Sequence, residues 1–415
     1  QNGQRIPDDE RILPRIFADQ GYTCGLAGKL HLSSGQGRSE QRIDDGYAEF
    51  HWSHHPPPDW PDNAYTDWLA SKGKQWNDIY RPPPMEDIRA RLAFPGAPAD
   101  LHQTTFCAQK TIDFIRSHAS DRAPWFFSFN CFDPHHPFDP PREYLDRYDP
   151  ADMPLPRTRD GEHDTKPPYQ KIDRTASRDG VASYDFTAMT DDDNRRITAA
   201  YYAMIELIDH NVGRILDALD ATGQRENTLV IFMSDHGEML GDHGFYLKGP
   251  HFYEQAIRVP LVMSWPGRFK AGRRVDGLVE LIDLAPTLLD AAHVEPPDDR
   301  TRLQGRSLLP VLTGEDDGAH LRDHVFCEYY NAWSHRGEAY ATMLRTEDAK
   351  IAVYHGLDPD NEIDGELYDL RSDPDEFVNL WNDTSHAAMK TRMLKQCFDA
   401  SVFTMDPMPP RLGDY

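Results

Sequence analysis

The sequence predicts an α/β sandwich, in which a mainly parallel central sheet is flanked by helices and followed by a small C-terminal antiparallel sheet subdomain. Three observations carry this reading. Segments with apolar residues at three- and four-residue spacing alternate with short, wholly apolar runs, the pattern of helices laid on a buried sheet. After Gly314-Glu315-Asp316-Asp317 the pattern changes to short strands with hairpin-like spacing. The 415 residues suffice for one large domain or two smaller ones, and the change of pattern divides them into 1–317 and 318–415.

Residues 8–20 read as the first helix, which opens on acidic residues, carries Ile12, Ile16 and Phe17 on one face and is stopped by Gly21. YTCGLAG at 22–28 is a buried strand ending at Lys29-Leu30-His31, and residues 33–98 show little periodicity. A helix fits 100–118, with Phe106, Ile112 and Ile115 inward. WFFSFNCF at 125–132 is a second apolar strand, running into Asp133-Pro134-His135-His136-Pro137. The clearest helix is 192–221, where Ile197, Tyr201, Met204, Ile208, Val212, Ile215 and Leu219 recur at helical spacing and Gly223 caps the end. TLVIFM at 228–233 and RVPLVMSW at 258–265 are further buried strands, and a helix from Leu284 to Ala292 closes the first region. In the second region, short strands fall at 324–330, 339–345 and 350–355, ELYDLRSDPDE follows at 366–376, and a last helix fits 385–397.

Composition narrows the function. Lys plus Arg total 44 against 69 for Asp plus Glu, a formal charge of -25. Such a surface repels phosphate backbones, which argues against nucleic-acid partners. An anionic substrate must therefore be captured by a local group of cations or by a metal. The 33 prolines crowd into 56–98 and 134–168, which read as long surface loops. No stretch has the apolar length of a membrane span, and QNGQRIPDDER at the start has no apolar signal region, so a soluble chain without a visible address is expected. The five cysteines, Cys24, Cys107, Cys131, Cys327 and Cys397, are widely spaced and read as free thiols.

Three buried strands end in residues that titrate or carry charge: Lys29 and His31, His135 and His136, Asp235 and His236. Ligands of open α/β sheets bind beyond the carboxyl ends of the strands, so the coincidence points to one site. Asp235-His236 is the most specific pair. An oxygen and a nitrogen ligand sit together at the end of TLVIFM, suited to a hard or borderline divalent cation, and Gly237 lets the backbone turn behind them. The pair needs further carboxylates to hold a metal. The tripeptide recurs at Asp242-His243-Gly244, where nothing apolar anchors it, and this copy reads as a loop-shaping segment.

These stretches resemble the sulfatase family of the alkaline-phosphatase-like superfamily. The matching segments are GYTCGLAGKLHL (21–32), DPHHPFDPP (133–141), SDHGEMLGDHGFYLKGPHFYEQAIRVPLV (234–262), LIDLAPTLLD (281–290), LQGRSLLPVL (303–312) and ELYDLRSDPDEFVNL (366–380). The resemblance implies that Asp235 and His236 are two ligands of a single divalent ion, usually calcium (Ca2+), with magnesium, manganese or zinc as alternatives. It implies that Lys29, His135 and Lys248 bind the sulfate oxygens, and that His31 orients or deprotonates the nucleophile. His136 falls at the variable position of P-H-x-P and takes no role from the family. His251 is expected to face the organic part of the substrate, with a place at a helix start as the alternative.

The sequence departs from the family in its first portion. The nucleophile is a formylglycine made from the Cys or Ser of a C-x-P-x-R or S-x-P-x-R element near the N-terminus, and no cysteine or serine in that part of the chain fits. An aspartate pair at the end of a first strand is also missing. The expectation is a chain without its first βα portion, inactive or very weakly active, with an apolar groove left in the sheet. The expected substrate is a sulfated carbohydrate or an aryl sulfate. The competing readings are a phosphomonoester, phosphodiester or phosphonate hydrolase of the same superfamily and a non-catalytic binding protein. Trp52, Trp60, Tyr65 and Trp68 could stack on sugars, though packing down the loops is the favoured reading.

Overall fold

The computed structural model describes residues 5–8, 10–32, 40–55, 62–178, 183–184, 186–296, 303–330, 339–356 and 363–404. Helix α1 (Leu13–Asp19) starts later than predicted, at the turn that places Pro14 in its first positions, and it buries Ile16 and Phe17. It leads into β1 (Thr23–Gly28), the middle strand of a three-stranded parallel sheet between β2 (Glu49–Trp52) and β3 (Trp125–Asn130). The alternation of a strand sorts the side chains of β1. Cys24 and Leu26 pack with Ile16, Phe17 and Leu289, while Ala27 packs with Phe106 and Cys107 on the other face. β2 lies within the stretch that shows little periodicity, because only four residues extend and their burial is partial until Trp52.

Between β2 and β3 come α2 (Ala64–Ser71) and α3 (Gln103–Ser117). The N-terminus of α3 is capped by His102, whose Nδ1 accepts from the Thr104 amide at 3.3 Å, and the helix buries Phe106, Ile112 and Ile115 as predicted. The long helix α4 (Asp191–Ala221) opens on a reciprocal cap between Thr190 and Asp193 and packs along α3. Trp52, Tyr65 and Trp68 pack down the loops: Trp52 and Tyr65 are buried, and Trp68 lies 5.5 Å from the Phe106 ring. Trp60 lies outside the described residues.

The strands β4 (Val230–Met233) and β5 (Leu261–Ser264) form a separate pair, and they are antiparallel. A parallel return would need a crossover element, whereas residues 234–260 contain only single helical turns and spend their length on the loop around the site. Helix α5 (Leu284–Ala292) covers the α1 side of the first sheet. The C-terminal sheet is antiparallel in the order β9-β8-β7-β6, formed by β6 (Val325–Tyr330), β7 (Tyr340–Arg345), β8 (Ala349–His355) and β9 (Gly365–Asp369). One face of it packs on α6 (Ala387–Thr404) through Met393, Cys397 and Ala400, and the other on Phe252 and Tyr169. All five cysteines are free. No helix among the described residues is long and apolar enough to cross a membrane.

Lys350 joins this sheet to the rest. Its buried ammonium lies 2.8 Å from Glu254 Oε1 and 2.6 Å from Glu376 Oε1, and donates to the Phe252 carbonyl at 2.9 Å. Removing the cation leaves two carboxylates facing each other with little water. Lys350→Ala is therefore expected to destabilise the fold by about 3–5 kcal/mol in urea unfolding. A loss under about 1 kcal/mol would show that the pair contributes nothing.

Candidate active site

The ends of β1, β3 and β4 meet. Lys29 follows β1 directly, and its backbone is tied to β3: its amide donates to the Asn130 carbonyl at 2.8 Å, and Asn130 Nδ2 donates back to its carbonyl at 3.0 Å. Past β3 stands His135, and past β4 stand Asp235 and His236, with the His135 and His236 rings 6.0 Å apart. Lys248 returns from the loop beyond, and its Nζ lies 2.8 Å from His135 Nε2. The side chains of Lys29, His135, Asp235, His236 and Lys248 therefore share one open surface, on which Asp235 and Lys248 are exposed.

Hydrogen bonds fix the tautomers. His135 Nδ1 lies 2.8 Å from the His136 carbonyl, and a carbonyl only accepts, so Nδ1 carries the proton and Nε2 accepts from the Lys248 ammonium. Burial, with His136 and Lys248 close by, pushes the His135 pKa far below the ordinary histidine range. His236 repeats the arrangement: Nδ1 donates to the Gly237 carbonyl at 2.8 Å, so Nε2 presents a lone pair 3.8 Å from Asp235 Oδ2. Burial lowers the Lys29 pKa, and the charge of Asp235 opposes that shift.

The chemistry of these donors fits a divalent cation in part. Asp235 offers a carboxylate and His236 a correctly protonated imidazole, but no group of three His, Cys, Asp or Glu side chains able to hold a metal occurs among the described residues. The strand edges beside the pair are open as well. β3 and β4 start from one apolar cluster containing Trp125 and Val230, yet no ladder joins them among the described residues. Phe232 and Met233 are each 39% exposed, so apolar surface faces solvent there.

Gly237 serves a different end from the predicted sharp turn. Its φ is not positive, but a Cβ there would run into the Gln255 carbonyl, and its amide donates to the Ala256 carbonyl at 2.8 Å. Close backbone approach is what requires glycine. His31 is exposed at the end of β1. His251 lies apart from the surface. It is 3% exposed, packs 4.5 Å from the Phe245 ring and accepts from the Gly249 amide through Nε2 at 3.3 Å, so it faces protein where substrate was expected. Two residues later, Tyr253 caps the short helix Glu254–Ile257.

The second Asp-His-Gly fastens the loop. Asp242 Oδ1 accepts from the Arg157 amide and Oδ2 from Gln255 Nε2, both at 2.8 Å. His243 is buried in a left-handed backbone conformation (φ 56°), stacks on Tyr253 at 3.9 Å and lies 3.3 Å from Glu162 Oε2. Two residues near the site went unnoticed in the sequence. Glu238 accepts from the Leu240 and Leu247 amides, at 3.2 and 2.5 Å, and so closes the loop that carries Lys248. His54 has its pKa lowered to about 3 by burial and by the charges of Lys29 and His31, which places it beside them. Histidines in a proline-rich stretch such as HWSHHPPP were the available signal.

Comparison with known proteins gives the family and the fold. The family model described as Sulfatase matches residues 1–294, and the model described as N-sulphoglucosamine sulphohydrolase, C-terminal, matches residues 241–402. An arylsulfatase of Clostridium perfringens is 29% identical over 381 residues, covering 90% of this chain and 74% of that protein. The N-acetylglucosamine-6-O-sulfatase of Bacteroides thetaiotaomicron is 34% identical over 199 residues, covering 47% of this chain and 34% of that protein. Among solved structures, a phosphonate monoester hydrolase of Silicibacter pomeroyi superposes with a TM-score of 0.81 at 25% identity, covering 98% of this chain and 83% of that one.

The Glu162 cluster gives the loop an acid limit. Burial alone would raise the Glu162 pKa, but His163 and His243 outweigh it and hold the carboxyl at about 2, below its ordinary 4.5. A depressed carboxyl pKa stabilises the fold above 4.5, and that stability is lost as pH falls from 4.5 toward 2. Wild-type stability should drop across this window by an amount on the order of 3 kcal/mol that is absent from Glu162→Gln, measured by urea unfolding at stepped pH. Parallel pH curves for the two proteins would contradict it.

Proposed function

Because the chain belongs to the sulfatase family, we propose that its strand-end surface binds the sulfate group of an ester for hydrolysis, the ester being a sulfated carbohydrate or an aryl sulfate. The family is one of sulfate ester hydrolases, and this chain is a sulfatase-type hydrolase by membership. The observation that supports the reading best is the convergence of Lys29, His135 and Lys248 beside Asp235 and His236. A non-catalytic protein would have no reason to hold these groups together on an open surface.

Each residue has a physical task. Lys29 and Lys248 present fixed ammonium groups to the equatorial oxygens of the sulfate, where charge accumulates as the ester bond breaks, and they do so without rearrangement. A bound anion competes with His135 Nε2 for the Lys248 ammonium, which makes His135 the neighbour of the same oxygen. His31, exposed beside Lys29, orients or deprotonates the nucleophile. Asp235 and His236 would hold a divalent ion, calcium in the first instance, which when bound supplies Lewis-acid polarisation of the sulfate. The family generally uses formylglycine as well, and no C-x-P-x-R occurs in the 415 residues; the one S-x-P-x-R, Ser264-Trp265-Pro266-Gly267-Arg268, begins where Ser264 pairs with Val230, at the end of β4 away from Asp235. The reading is that the nucleophile and the remaining carboxylates belong to an apolar strand, supplied from outside these residues, that seats between β3 and β4.

A second reading has its own support. The superposition on a phosphonate monoester hydrolase favours a phosphonate or phosphate ester hydrolase, since tetrahedral anions of both elements suit the same cations. Calorimetric titration with inorganic sulfate and phosphate separates the two by preference. Lys248→Ala should weaken sulfate binding by about tenfold or more, the loss of one charge-assisted hydrogen bond. Unchanged affinity would remove Lys248 from the site. Assayed on nitrophenyl sulfate, the 415-residue chain should show no turnover or very slow turnover. An enzyme-like rate would disprove the proposal of an externally supplied nucleophile.

A further inference from the structure

We propose that Phe132 is the positioning residue of the cation group: its buried ring sets the places of Lys29 and His135, and a buried His55–Asp139 pair holds that ring still. The geometry stands on its own, while the effect on anion binding rests on the reading given under Proposed function.

One benzene ring meets two of the site's nitrogen groups and two further histidines. Phe132 is 6% exposed. Lys29 Nζ lies 5.4 Å from its centroid, the His135 ring 4.7 Å, the His54 ring 4.9 Å and the His55 ring 5.7 Å. The ring face carries negative potential and attracts an ammonium. Asp235 attracts Lys29 too, but a carboxylate in contact would neutralise the charge that an incoming anion needs. The aromatic face holds the ammonium and leaves its charge intact.

The surrounding sequence keeps the ring in place. Phe132-Asp133-Pro134-His135-His136-Pro137-Phe138-Asp139 carries Phe-Asp on both sides of Pro-His-His-Pro, and all four flanking side chains are buried. Asp133 Oδ2 accepts the Thr104 hydroxyl at 2.7 Å and lies 3.6 Å from His102 Nδ1. Asp139 Oδ2 lies 2.8 Å from His55 Nε2. The His55 ring stands edge-on to Trp76 at 5.4 Å and Tyr80 at 5.5 Å, so it cannot turn freely. His135 is thus suspended between two anchored ends, and Phe132 is the part of the anchorage that also meets Lys29.

Two substitutions test this against a role as simple core filling. Phe132→Leu keeps an apolar side chain but removes the ring face. Pentafluorophenylalanine at position 132 keeps the shape and reverses the potential of the face. In crystal structures of both proteins, Lys29 Nζ should move from the ring toward Asp235. Calorimetry should show sulfate affinity reduced about fivefold, with the fluorinated protein matching the wild type in thermal stability. If Lys29 and His135 keep their places in both, the inference is overturned and Phe132 only fills space. Should Phe132→Leu fail to fold, the fluorinated protein decides alone. Should the wild type bind no sulfate, the proposed function fails, and the position of Lys29 still decides the role of Phe132.

Discussion

The site depends on one constraint: the loop between β4 and β5 must fold back so that Lys248 stands over the end of β3. An exposed lysine on a glycine-rich loop has many alternatives, and buried polar contacts remove them. Glu238 bridges the Leu240 and Leu247 amides. Asp242 and His243 tie the middle of the loop to Arg157 and Glu162. At its far end the Glu254 amide donates to Glu376 Oε2 at 2.9 Å, and Lys350 lies between the two carboxylates. The C-terminal sheet therefore supports the placement of Lys248, although it contributes none of the side chains named for the site.

The charge distribution follows from the same arrangement. With a formal charge of -25 the chain repels anions at long range. Against that background, Lys29 and Lys248 are concentrated at one strand edge with neutral imidazoles between them. Imidazoles that stay neutral contribute acceptors and ring faces without adding repulsion between neighbouring cations. The aromatic support under Lys29 serves the same end, holding a cation in place with an uncharged group.

Much of this was legible in the sequence, for identifiable reasons. Helices α3, α4 and α5 and the strands β1, β3 and β4 announce themselves through periodicity or unbroken apolar runs, and the charged residues at the strand ends mark the surface proposed as the site. β2 was hidden because four partly buried residues give no pattern. The antiparallel direction of β5 is not legible, because an apolar run does not disclose direction, which the intervening loop decides. His251 was expected to face substrate, and the structure instead packs it on Phe245, since proximity to Lys248 along the chain says nothing of which way a side chain points. Glu238, Phe132 and the His55–Asp139 pair were invisible for a related reason: each matters through partners distant in sequence or through backbone amides, which no spacing records.

The central claim is that Lys29, His135 and Lys248 form one oxyanion site beside the Asp235–His236 pair. The most direct measurement is a crystal structure of the chain with calcium and selenate, with selenium located by anomalous scattering. The account predicts selenate oxygens within hydrogen-bonding reach of both lysine ammonium groups and beside the His135 ring, with calcium, if held, at Asp235 and His236. Selenate bound only elsewhere, with the Lys29 and Lys248 side chains pointing apart, would contradict it.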